Sequence, residues 1–96
     1  MDKKRTQPMA ISFTEAIQKA REELNMLIGL EIDSTVSAEP NAEGWRVTLE
    51  AIEKRAIPDS LDILGVYETM LDDEGKVSEF RRVRMRKRID TDDTED

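Results

Sequence analysis

Apolar residues fall at helical spacing over the first third of the chain and at alternate positions over most of the rest. Phe13, Ala16, Ile17, Ala20, Leu24, Leu27 and Ile28 form one stripe, and Gln18, Lys19, Glu22 and Asn25 take the opposite side. Ser12-Phe13-Thr14-Glu15 is a capping box, in which the Ser12 hydroxyl accepts from the Glu15 amide and the Glu15 carboxylate accepts from the Ser12 amide. Glu15 and Lys19 make a favourable pair one turn apart, and Gly29 supplies the residue that ends a helix. The spacing therefore predicts a helix from about Ser12 to Ile28.

After Gly29 the period changes to two. Leu30, Ile32, Val36 and Ala38 alternate with Glu31, Asp33, Thr35 and Ser37, which predicts a first strand. The turn-forming run from Pro40 to Gly44 leads into a second strand, with Trp45, Val47, Leu49 and Ala51 on one face and Arg46, Thr48 and Glu50 on the other. The alternation fails at Ala51-Ile52, which predicts a bulge or the end of the strand. Pro58-Asp59-Ser60 makes a corner. Ile63 to Leu71 resumes as a third strand with apolar residues on both faces, as in a central strand or one with a further contact on its second face. Asp72-Asp73-Glu74-Gly75 is a turn, and Val77 to about Arg86 is a fourth strand whose register could pair Tyr67 with Phe80.

No helix separates the strands, so the default topology is an antiparallel meander. The fold class is α+β: one N-terminal amphipathic helix packed on a four-stranded antiparallel sheet. The expected division is a flexible arm over residues 1–10, one domain over 11–88 and an acidic disordered tail over 89–96.

Composition narrows the function. At 96 residues the chain supports one modest core, and 39% charged residues against a usual ~25% leave a very polar surface. The chain has no histidine and no cysteine, so the commonest general base, thiolate chemistry and disulfides are all missing. No run approaches the ~18 apolar residues of a membrane span, and the first residues lack a signal-peptide core. The expectation is a cytoplasmic protein with no cofactor, no metal, no catalytic residues and no membrane contact. Glu50 and Glu53 beside Asp59 and Asp62 have no histidine to support acid-base or metal work, and Asp59 and Asp62 read as turn or cap residues.

The residues of the second half carry a family likeness. Gly44-Trp45, Glu50, Glu53, Ile57-Pro58-Asp59, Asp62-Ile63-Leu64, Tyr67-Glu68, Gly75 and Phe80-Arg81-Arg82-Val83-Arg84 occur in an order that resembles the gas vesicle accessory protein family GvpO. The likeness covers roughly Phe13 to Arg88. The family pattern tends to close with a further Arg-Tyr pair, where this chain has Met85-Arg86. The resemblance implies a cytoplasmic, non-enzymatic accessory role in gas vesicle formation, with other gas vesicle proteins, shell or accessory, as partners. The composition agrees that this is no shell subunit, which must present a large apolar face to gas.

Two candidate surfaces follow. The basic run Arg81 to Arg88 stands out against a net charge of −7, and in a regular strand Arg82, Arg84, Arg86 and Arg88 share one face with Arg81 and Val83 on the other. That row can serve an acidic protein segment or a nucleic-acid backbone, although no aromatic follows Phe80 to stack on bases. It can equally be neutralised by cross-strand pairs to Glu50, Glu53 or Glu68. Trp45 and Tyr67 with Gly65 can form a partner-facing aromatic patch or sit in the core, with Gly65 making room for a ring. The apolar residues on both faces of the third strand admit a homodimer or a partner on the outer face. Arg81, Arg82, Arg84, Arg86, Trp45 and Tyr67 are thus the candidate partner-binding residues.

Overall fold

The computed structural model describes residues 11–90. The expected arm (1–10) and the acidic residues 91–96 lie outside the described residues. Helix α1 spans Phe13–Ile28, followed by strands β1 (Ile32–Pro40), β2 (Gly44–Lys54), β3 (Ile63–Asp72) and β4 (Val77–Lys87), with a short 3₁₀ turn at Asp59–Leu61 before β3. The strands form one antiparallel sheet in the order β1-β2-β3-β4, a meander with α1 on one face.

The helix starts and stops where its sequence says. The Ser12 hydroxyl accepts from the Glu15 amide at 3.1 Å, and the Glu15 carboxylate accepts from the Ser12 amide at 2.9 Å. Gly29 takes the left-handed conformation (φ 71°) and donates its N–H to the Asn25 carbonyl. The small residues Ala16 and Ala20, with Leu24, form the buried line of the helix. They pack on Val47, Leu49, Ala51, Tyr67 and Leu71 from the two central strands, and the Phe13 ring meets the Trp45 ring edge-on at 6.0 Å. Phe13 and Leu27, at the margins of the predicted stripe, remain exposed.

Turn chemistry sets the strand ends. Asn41 Oδ1 accepts from the Glu43 and Gly44 amides in the first hairpin, and Asp72 Oδ1 accepts from the Glu74 and Lys76 amides in the last. A Cβ on Gly44 would strike the Leu71 carbonyl and the Asp72 backbone, so the approach of β3 demands glycine there. β3 is the doubly buried central strand that its two-faced apolar pattern required, paired along its length with both β2 and β4.

Bulges also set the strand ends and the register, and one of them, at Glu53, lies next to the break expected at Ala51-Ile52. β1 begins at Ile32, not Leu30, and register shifts at Asp33 and Val36 turn Thr35 and Ala38 to the face of Leu49 and Val47, which leaves Val36 exposed. β2 runs on to Lys54 with its irregularity at Glu53. In the last hairpin Tyr67 faces Arg82 and Phe80 faces Thr69, a slip of two residues from the Tyr67–Phe80 pairing. Faces are unchanged by such a slip, because side chains alternate with a period of two. A shift at Val83, however, inserts one residue between Arg82 and Arg84. Arg82 therefore lies on the helix side of the sheet, while Arg81, Arg84 and Arg86 share the other side. The continuous row Arg82-Arg84-Arg86 is not formed.

Candidate functional site

The basic run from Arg81 to Arg88 pairs with carboxylates of β1, β2 and β3. On the side away from the helix, Arg86 donates from Nε to Glu50 Oε2 (2.8 Å) and from Nη2 to Glu50 Oε1 (3.0 Å), a two-point contact. Ser34 Oγ donates to the same carboxylate at 3.1 Å. The hydrogen bonds from Arg86, opposed by burial and helped by Ser34, hold the Glu50 carboxyl below its ordinary range. Glu50 is only 6% exposed, so the pair sits within the fold and not on a wet rim. Arg86 Nη1 also donates to the Asp90 carbonyl at 2.6 Å, which folds the chain back after β4.

Arg88 ties the two edges of the sheet together. Its guanidinium donates to Asp33 of β1 at 3.1 and 3.2 Å and to Asp62 at 3.1 Å. The outer strands of a flat four-stranded sheet stand about 14 Å apart, so this contact requires the sheet to coil at that end. Asp62 is fully buried and also accepts from the Ala56 amide at 2.7 Å. That backbone bond first, and Arg88 after it, holds the Asp62 carboxyl below its ordinary range against the cost of burial. Ile52, Leu64 and Val66, on this same face, are buried although α1 lies on the other side.

On the helix side, Tyr67 donates its hydroxyl to Glu53 Oε2 at 2.7 Å, and Arg82 stands 3.4 Å from the same oxygen. Burial, followed by the Glu53 contact, pushes the Tyr67 phenol up. A Cβ on Gly65 would collide with the Glu53 carboxylate. Gly65 makes room for a carboxylate, not for a ring. Arg81 and Glu68 pair at 3.2 Å on the opposite side, and Arg46 pairs with Glu39 at 2.7 Å.

The predicted site residues thus separate. Arg81, Arg82 and Arg84 are exposed on β4, whereas Arg86 is half-buried in the Glu50 pair. Trp45 is half-buried against Phe13, and Tyr67 is buried among the core residues, so the two do not form an exposed aromatic patch. Cross-strand pairing to Glu50, Glu53 and Glu68, one of the two expectations for the basic run, is realised at all three. The carboxylates singled out in sequence each meet an arginine or a backbone amide, except that Asp59 opens the 3₁₀ turn. Asp33, Asp62 and Arg88 as a clamp were missed. An aspartate between a Pro-containing corner and an apolar run was the available signal, but it reads as an ordinary turn residue.

β4 also carries exposed apolar groups: Phe80, Val83 and Met85 are 38, 40 and 47% exposed. No helix among the described residues is long and apolar enough to cross a membrane.

The fold and these pairs define a small α+β protein, one helix on a meander sheet, with a cationic and partly apolar last strand. The chain belongs to the GvpO family: the family model described as gas vesicle synthesis protein GvpO matches residues 1–92. It is 39% identical over 85 residues to gas vesicle protein O1 of Halobacterium salinarum, covering 86% of this chain and 71% of that protein. It is 35% identical over 81 residues to gas vesicle protein O of Haloferax mediterranei, covering 83% of this chain and 58% of the relative. A Streptomyces gas vesicle protein O is 39% identical over 62 residues, covering 65% and 48%. The chain thus spans about half to seven-tenths of the length of these relatives. No solved structure matches it.

Proposed function

We propose that the chain is a non-enzymatic accessory protein of gas vesicle formation that acts in the cytoplasm by binding other gas vesicle proteins. The family match over residues 1–92 carries this reading. Two features of the site support it. The buried carboxylates Glu50 and Asp62 are engaged by Arg86 and Arg88, an arrangement suited to holding a fold together. The exposed groups of β4, Arg81, Arg82 and Arg84 with Phe80, Val83 and Met85, combine charge and apolar area, as interface residues do.

A pull-down from a vesicle-forming cell tests the proposal, with the wild type beside an Arg82→Ala/Arg84→Ala variant. Recovery of vesicle proteins by the wild type and their loss with the variant is the expected outcome. Recovery by both moves the site away from these arginines. Recovery of nucleic acid without vesicle proteins would replace the proposal with a nucleic-acid-binding role.

A further inference from the structure

The two outer strands of the sheet are unlike. β1 is bulged at Asp33 and Val36 and ends in Pro40, which cannot donate to a neighbour. Arg21 of the helix donates to the Thr35 hydroxyl and the Ile32 carbonyl of β1, and Arg88 holds Asp33. β4 is 11 residues long, and only at its first residue, where Val77 N–H donates to Glu23, does the helix give it a hydrogen bond among the described residues. Its outer side has no neighbouring strand among the described residues.

The two faces of β4 differ in their outer groups. Arg81 and Arg84 lie on the side away from the helix with Glu79, and Phe80 and Met85 lie on the helix side, beyond the core cluster, with Arg82, which pairs with Glu53. β4 itself holds five cations, Arg81, Arg82, Arg84, Arg86 and Lys87, and one anion, Glu79. Pairing of two β4 strands from two copies would set these cations against one another, which disfavours a symmetric dimer through this edge. An incoming strand with carboxylates on one face and apolar side chains on the other would meet both sides of β4 favourably.

We infer that the outer edge of β4 accepts an extended segment of another protein, acidic on one face and apolar on the other, as a fifth strand. This specifies the partner chemistry of the accessory role proposed above and rests on it. Backbone hydrogen bonds along β4 supply the affinity. Arg81 and Arg84 select the acidic face, and Phe80 and Met85 bury the apolar one.

The test uses the full chain and three labelled, end-capped octapeptides. The first is Thr-Glu-Val-Glu-Phe-Glu-Val-Thr, the second has lysine in place of each glutamate, and the third is the acidic peptide with a fully N-methylated backbone. Fluorescence anisotropy gives affinity, and amide hydrogen exchange gives the site. The acidic peptide should bind about tenfold or more tighter than the lysine peptide. N-methylation should abolish binding, and amides of Phe80 to Lys87 should gain protection.

Equal binding by the N-methylated peptide would reduce the contact to charge and overturn strand addition. Protection on β1, failure of every peptide to bind, or self-association that protects β4 without peptide would also overturn it. If the peptides fail while the pull-down still recovers vesicle proteins, the strand-pairing inference falls and the accessory role stands. If both fail, the role falls too.

Discussion

The two faces of the sheet are held by different forces. On one, α1 lays Ala16, Ala20 and Leu24 on Val47, Leu49 and Leu71, and apolar contact does the holding. On the other, Glu50–Arg86 and the Asp33–Arg88–Asp62 cluster lie on the same side as Ile52, Leu64 and Val66. A small sheet with one helix has too little apolar material to cover both sides. Its second side is finished with arginine stems and matched charge. That difference explains why a strand so rich in arginine is, over half its length, part of the protein's own structure.

The largest effect should come from the helix face. Leu49→Ala removes a fully buried side chain between helix and sheet and should cost about 2–5 kcal/mol in urea unfolding. Next comes the ionic face. Either Glu50→Ala or Arg86→Ala should cost about 2–3 kcal/mol, less than a fully buried pair because Arg86 keeps some contact with water. The double variant Glu50→Leu/Arg86→Met should recover most of that loss, since apolar groups replace both charges. A double variant as unstable as the singles would show that the pair contributes more than mutual neutralisation. Gly65→Ala should cost about 1–2 kcal/mol by displacing the Glu53 carboxylate. Loss of the Tyr67–Glu53 contact would show as a lowered phenol pKa in an ultraviolet titration.

Acid should separate the faces further. The Glu50, Asp62 and Asp72 carboxyls are depressed in the folded state, so the unfolded chain binds more protons at low pH. The stability they contribute is full above the ordinary carboxylate range, near pH 4, and is lost as pH falls through their folded values. Glu50→Gln should flatten that dependence, while Leu49→Ala should lower the whole curve without changing its shape. The smallest effect belongs to the exposed pair: Arg81→Ala should change stability by less than about 0.5 kcal/mol.

What the sequence made legible follows the same division. The helix, its caps, the turns and the helix-facing residues of β2 were readable because local periodicity and turn chemistry specify them. The ionic face was only half readable. Glu50, Glu53 and Glu68 were recognisable as cross-strand partners for a basic strand, but which arginine met which depended on the bulge at Val83. One inserted residue moves Arg82 to the other face, and nothing in the alternation marks its position. Asp33 and Arg88 lie 55 residues apart, and their contact depends on coiling of the sheet, which single-strand patterns do not carry.

Part of β4 maintains the fold, and on the proposal above another part serves a partner. The most direct measurement is gas vesicle formation in a strain lacking its own copy of this protein, complemented with variants and read by light scattering. An Arg81→Ser/Phe80→Ser/Met85→Ser chain should melt within a few degrees of the wild type yet fail to restore vesicles. Full restoration by that chain would contradict the claim.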